Sequence, residues 1–349
     1  MKNGISLTQL AAELERQQNA KRDFVADTRS IDFTLAGGAP TLVVNDNPFP
    51  LTRYASNQIT EWAGIPAKYA DRMAADAPGL LETNVRHWFR NTPAQRMVRT
   101  LDGGARAFLS NRYRRLDNFD LAEALLPTLM QIPDARIESC DVTPMRMHIK
   151  VVTPRITGEV KPGDVVQAGI AIANSEIGAG ALSVMPLIFR LVCRNGMISA
   201  DYGQRRNHIG RGITIEGEAT EVFRDETLLA DDRALLLKLT DITRNAVSDI
   251  GFGRILDKMR AAAGEPIKGD PVASVKELGN RFLFSETERA GVLRHLISGG
   301  DLSRWGMLNA ITAHSQDVAD YDRATDLERA GGQVLELAAN DWQAIAAAA

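Results

Sequence analysis

Four runs in the middle of the chain, RIESCDV at 136–142, MRMHIKVV at 145–152, VVQAGIAIA at 165–173 and ALSVMPLIFRLVC at 181–193, are rich in β-branched residues and separated by turns that carry proline or glycine. Such runs fit a pleated, half-buried surface and predict a central, mainly antiparallel sheet. Beyond about Thr220 the texture changes. Segments such as TLLADDRALLLKLTDITRNAVSD repeat apolar residues every three or four positions, the period of a helix with one buried face. The fold class is therefore α+β, with N-terminal helices and hairpins ahead of the sheet and a helical C-terminal third behind it.

Local signals fill in the ends. Ser6 and Gln9 stand at capping-box spacing, which satisfies two orphan amides at the start of a helix running towards Lys21, and Ser285 with Glu288 repeats the device. SIDFTLAGGAPTLVVND places two apolar runs around Gly37 and Gly38, and RMVRTLDGGARAFLS does the same around Asp102-Gly103-Gly104, so each reads as a β-hairpin. RYASNQITEWAGIPAKYADRMA has helical spacing broken by Gly64 and Pro66, which gives two short helices with a sharp joint, and Leu121 to Met130 reads as a further helix. The organisation expected is a helix and hairpin over 1–50, an α+β core over 51–219 and helices over 220–349 that either form their own unit or pack on that core.

A chain of 349 residues can bury a sizeable core without staples. Its two cysteines, Cys140 and Cys193, have no zinc-ligand partners at the usual spacing and are expected to be reduced and mostly buried. No run approaches the roughly 20 apolar residues that cross a bilayer, and the N-terminus lacks the unbroken apolar stretch of a secretory signal. A cytoplasmic protein with no membrane partner is the expectation.

Motifs for chemistry are sparse. AIANSEIGAGALS echoes a phosphate-cradling loop, but a strand and not a helix follows it, so the reading is a turn in which Asn174, Ser175 and Glu176 bond to backbone, with Glu176 facing a ligand as the alternative. Glu159 and Lys161 have the residue types of a metal-dependent nuclease, yet lie in a turn next to Pro162-Gly163. His87, His148, His208, His295 and His314 show no paired metal spacing. Cys193 reads as a core thiol, although Arg190 and Arg194 would lower the pKa of an exposed one. No metal, cofactor or catalytic set is expected.

Charge is the informative feature. The formal net charge of −3 averages over unlike segments. Residues 84–115 hold Arg86, Arg90, Arg96, Arg99, Arg106, Arg112, Arg114 and Arg115 against Asp102 alone, interleaved with Trp88, Phe89, Phe108 and Tyr113. Residues 190–211 hold Arg190, Arg194, Arg205, Arg206 and Arg211 against Asp201. Guanidinium groups that neutralise phosphates beside aromatic rings that stack on bases suit single-stranded nucleic acid. The competing reading is a solvated arginine face with its aromatics turned inward.

WAGIPAKY at 62–69, FLSNRYRRLDN at 108–118, ANSEIGAGALSVMP at 173–186, FRLVCRNGM at 189–197 and RWGMLNAIT at 304–312 together resemble the domain of unknown function family 932, also described as phage/plasmid-like proteins. The resemblance implies an intracellular protein of phages, plasmids or integrated elements and carries no established catalytic residues with it. The leading expectation is an accessory protein that handles or anneals single-stranded DNA. Arg86, Arg90, Arg96, Arg99, Arg112, Arg114 and Arg115 would line its path, Tyr113 would stack on a base, and Arg205, Arg206 and Arg211 would extend it, with self-association as a secondary expectation. The rivals are a nucleic-acid or nucleotide-processing enzyme centred on Glu176, Asp201 and His208, and a structural or inhibitory protein that works through protein contacts.

Overall fold

The computed structural model describes residues 1–199, 204–206, 213–215, 218–220 and 225–349. Asp201, His208 and Arg211 lie outside the described residues, as do the side chains of Arg205 and Arg206.

The N-terminal part begins with α1 (Leu7–Ala20), closed by the expected capping box of Ser6 and Gln9, and β1 (Phe24–Asp27). A three-stranded antiparallel sheet follows: β2 (Ile31–Thr34), β3 (Thr41–Val44) and β4 (Asn47–Pro50). The β2–β3 connection uses positive φ at Gly37 and Gly38, and the β3–β4 turn uses it at Asn45 and Asp46, residue types that tolerate the left-handed region. Next come α2 (Arg53–Trp62), α3 (Ala67–Asp76) and α4 (Pro78–Asn91), then the hairpin of β5 (Gln95–Leu101) and β6 (Gly104–Ser110), with β5 also pairing to β1. Both expected hairpins are present. α4 is an addition: Leu81, Val85 and Phe89 recur at one-turn spacing and are buried, while polar residues and arginines between them hide the pattern. Phe33, Leu42, Ile59, Val85, Phe89, Val98 and Phe108 unite these elements in one core.

After α5 (Asn118–Met130) comes the central sheet, formed by β7 (Arg136–Val142), β8 (Met147–Glu159), β9 (Val165–Asn174), β10 (Leu182–Arg190) and β11 (Asn195–Ile198) in the antiparallel order β11-β10-β9-β8-β7. A short β12 (Gln204–Arg206) joins β10 at Leu182–Val184, and β13 (Ile213–Ile215) pairs with β14 (Glu218–Thr220). Successive side chains of β8 point to opposite faces. Ile149 and Val151 pack with Leu121 and Leu125 of α5 and, once the chain reaches the helical third, with Leu235 and Leu239. His148 and Lys150 point the other way, to Asp322 and Glu328.

The C-terminal third consists of α6 (Asp225–Ala246), α7 (Asp249–Ala263), α8 (Pro271–Phe282), α9 (Glu286–Gly299), α10 (Arg304–His314), α11 (Tyr321–Leu335) and α12 (Ala339–Ala346), and Ser285 with Glu288 caps α9 as expected. These helices pack on the sheet. Val166, Ala168, Ile188 and Met197 share a core with Phe252, Met259, Trp305 and Leu308. α11 approaches β11 so closely that a Cβ on Gly332 would stand 2.0 Å from the Ile198 carbonyl oxygen, which only glycine avoids. Trp305 Nε1 donates to Asp164 Oδ2 at 2.9 Å, Arg190 grips the same carboxylate, and Asn195 Nδ2 donates to Thr312 Oγ1. Arg304 donates to the carbonyls of Val334, Leu335 and Leu337, satisfying the open end of α11. No helix among the described residues is long and apolar enough to cross a membrane.

One expectation is corrected. Both cysteines are unpaired, but only Cys140 is buried, and Cys193 is exposed. β10 ends at Arg190, so Cys193 falls in the β10–β11 turn with exposed Leu191 and Val192 and is not on the buried strand.

Candidate nucleic-acid interface

The loop at 111–117 leaves β6 and is fixed at both ends. Arg112 N donates to Ser110 Oγ and Tyr113 N to Ser110 O, each an early turn contact. Tyr113 OH then donates to the Ser175 carbonyl at 2.9 Å, and Asn174 Nδ2 donates to the Leu116 carbonyl at 2.8 Å. The loop therefore lies on the turn between β9 and β10. Gly178, at φ +82°, allows that contact: a Cβ there would reach Leu109 at 3.0 Å and the Tyr113 ring at 3.8 Å. Burial pushes the Tyr113 hydroxyl well above the usual tyrosine range, so it stays a neutral donor.

Beneath the loop is a buried polar knot. Glu176 Oε1 accepts from the Asn118 amide at 2.6 Å and Oε2 accepts from Arg106 at 2.5 Å, while Arg99 Nη1 donates to the Glu176 carbonyl at 2.9 Å. Arg99, with no exposed side-chain surface, also pairs with Asp23 at 2.8 Å and Asp117 at 2.5 Å. Burial alone would make its guanidinium easier to deprotonate, but the charges of Asp117, Asp23 and Glu176 outweigh that and hold its pKa above the ordinary arginine value. Burial likewise raises the Asp117 carboxyl, and Arg99 with Lys21 outweighs it and holds the pKa low. Asn174, Ser175 and Glu176 each bond to backbone as the turn reading expected, but only Ser175, which accepts from the Ala179 amide, does so within the turn; Asn174 reaches the Leu116 carbonyl, and Glu176 is committed to Arg106 and the Asn118 amide.

The basic segment thus divides into different roles. Arg99 and Arg106 are interior. Arg96 is half-buried over the rings of Trp62 and Phe108, 5.1 and 5.5 Å from their centroids, where burial lowers its pKa. Arg86 pairs with Asp32 at 2.6 Å, and Arg114 pairs with Asp231 at 2.6 Å. Arg90, Arg112 and Arg115 are exposed and, among the described residues, pair with no carboxylate. Tyr113 anchors the loop with its hydroxyl and half-buries its ring beside Ile177 and Leu109. Arg86 and Arg90 belong to α4, which packs against α3 and β2.

Of the second basic segment, Gln204–Arg206 reaches the end of the central sheet that carries this loop, whereas Arg190 and Arg194 lie at the other end of β10 and pair with Asp164 and Glu138. β12 pairs in antiparallel register with Leu182↔Arg206, Ser183↔Arg205 and Val184↔Gln204, directly after the 174–181 turn that carries the 111–117 loop. Composition alone does not reveal that proximity. Elsewhere, Lys161 of the nuclease-like triplet pairs with Asp301 at 2.7 Å, and His148 lies 2.6 Å from Asp322. His295 and His314, unpaired by sequence spacing, are brought together where α9 packs on α10, and the His314-x-x-Asp317 spacing is the sequence signal that points there.

No curated protein and no solved structure matches the chain significantly. The profile of a family described as "Domain of unknown function (DUF932)" matches residues 107–331, a span that runs from β6 through the central sheet to α11. The chain belongs to that DUF932 family.

Proposed function

We propose that this protein binds single-stranded DNA as an accessory factor of a phage, plasmid or integrated element, with the 111–117 loop and β12 as its contact surface. The observation that carries the reading is the backbone register of β12 on Leu182–Val184, which sets two arginine-bearing segments at one end of one sheet. Arg112 and Arg115 project from a loop whose base is pinned by Tyr113 and Asn174, so little ordering of the backbone is needed when phosphates dock. Arg114 reinforces the loop through Asp231. Arg99 has no part in the contact, because its donors are spent on Asp23, Asp117 and the Glu176 carbonyl.

Support for the enzyme reading is weaker at its one described residue. Glu176 is buried and held by Arg106, which leaves its carboxylate no open side for a substrate. Fluorescence anisotropy of a labelled oligodeoxythymidine, followed over a salt series with and without magnesium, tests the proposal. Saturable binding that weakens with salt and leaves the oligonucleotide intact is expected. Absence of binding at low salt contradicts it, and magnesium-dependent cleavage would show an enzyme instead.

A further inference from the structure

α9 and α10 present a second, chemically different cluster. His295 Nε2 lies 2.8 Å from Asp317 Oδ2, His314 Nδ1 lies 3.6 Å from the same oxygen, and one ligand atom from each of the three residues falls within 4.8 Å of the others. Asp317 is placed by the turn after α10, where its amide donates to the His314 carbonyl at 2.9 Å. Two imidazoles and one carboxylate are the donor set of borderline divalent ions, zinc above all.

His314 separates this cluster from an ordinary surface ion pair. Its side chain is only 8% exposed, yet among the described residues neither ring nitrogen has a hydrogen-bond partner. Buried polar atoms are rarely left in that state, and an apolar side chain would fill the same space without the penalty. The ring also has a made-to-measure seat: a Cβ on Gly291, in the middle of α9, would stand 2.3 Å from His314 Cε1 and 2.4 Å from Nδ1. A glycine inside a helix weakens it relative to alanine, so Gly291 makes room for the ring against the helix's own propensity.

We infer that His295, His314 and Asp317 form a binding site for a zinc-class divalent cation, with the remaining coordination position open to solvent on the exposed side of Asp317. Ligands about 2.1 Å from a tetrahedral ion stand roughly 3.4 Å apart. His295 and Asp317, 2.8 Å apart, have to separate slightly, and these two side chains, more exposed than His314, make that adjustment. Arg294, which donates to Asp317 Oδ2 at 2.7 Å from a side chain that is 66% exposed, is the group the cation displaces. The ion would clamp α9 to the turn that leads into α11.

The test uses the full chain, freed of metal with a chelator and titrated with cobalt(II) alone. One equivalent should bind with the visible absorption of a low-coordinate site, and zinc should displace it. His295→Ala and Asp317→Asn, both at positions outside the core, should each weaken binding at least about tenfold while circular dichroism shows an unchanged fold. Arg294→Ala should bind the ion more tightly than the wild type. No saturable binding by the folded wild type, or wild-type affinity in His295→Ala and Asp317→Asn, would overturn the site.

Discussion

Lys150 Nζ and Glu328 Oε2 stand 2.6 Å apart with 1% and 0% of their side chains exposed, an ion pair sealed between β8 and α11. Lys150 also donates to Thr325 Oγ1 at 3.0 Å and sits 4.7 Å from the Tyr321 ring centroid, so the ammonium has partners on several sides. Breaking such a pair leaves one buried charge uncompensated and costs about 3–5 kcal/mol. Glu328→Ala should lower the urea-unfolding free energy by that amount, and adding Lys150→Met should recover much of it. A Glu328→Ala protein as stable as the wild type would show that the pair does not hold α11 to the sheet.

Arginines of the same segment should behave in opposite ways. Arg99→Ala strips the buried carboxylates of Asp23 and Asp117 of a partner, and a loss of about 3–5 kcal/mol is expected. Arg112→Ala and Arg115→Ala change exposed side chains and should stay within about 0.5 kcal/mol of the wild type. Arg99→Lys should rescue little, since an ammonium cannot reproduce the fork that reaches Asp23, Asp117 and the Glu176 carbonyl together. Parallel denaturant curves for the four variants check all three statements.

The two thiols should react at well-separated rates. Burial pushes the Cys140 thiol up to about 11, and its Sγ donates to the Ile5 carbonyl at 3.2 Å, whereas Cys193 is exposed in the β10–β11 turn. Titration of the folded protein with a thiol reagent near neutral pH should show one fast equivalent and a second only on unfolding. Cys193→Ser should abolish the fast phase, and two fast equivalents would contradict the burial of Cys140.

Acid should loosen the contact between α9 and α11. Arg323 bonds both oxygens of Glu288, at 2.6 and 2.9 Å, and together with the Ser285 amide it outweighs burial to hold the Glu288 carboxyl down at about 2. The unfolded chain takes up that proton near 4.5, so the stabilisation is complete above that pH and is lost as pH falls towards 2. The stability difference between wild type and Glu288→Gln should therefore shrink between pH 6 and pH 3. A constant gap across that interval would show that Glu288 is not ionised preferentially in the folded state.

The central strands were legible because β-branched runs bounded by Pro162-Gly163 or Gly178–Gly180 leave few alternatives, and β7 to β10 stand close to where those runs predict them. The capping boxes at Ser6 and Ser285 were legible for a similar reason, since their chemistry is local. Arg99 was not. Its carboxylates, Asp23 and Asp117, lie outside the stretch whose charge suggested a basic surface, so counting neighbours in sequence overstated the exposed charge. The seat of His314 on Gly291 was hidden too, because it arises only when α9 and α10 pack. The nearness of β12 to the 111–117 loop depends on a strand register that the pattern of Gln204–Arg206 does not announce.

The most direct test of the nucleic-acid reading is the salt dependence of single-stranded DNA binding in an Arg112→Ala/Arg115→Ala double variant. Each phosphate contact to a single strand releases about 0.7 counterion, so two lost contacts should flatten the slope of log affinity against log salt by roughly 1.4. Both side chains are exposed and, among the described residues, pair with no carboxylate, so the melting temperature should stay close to that of the wild type. A flatter slope and weaker binding at low salt are expected, in a folded protein. An unchanged slope and affinity in that folded variant, or no binding by the wild type at any salt, would contradict it.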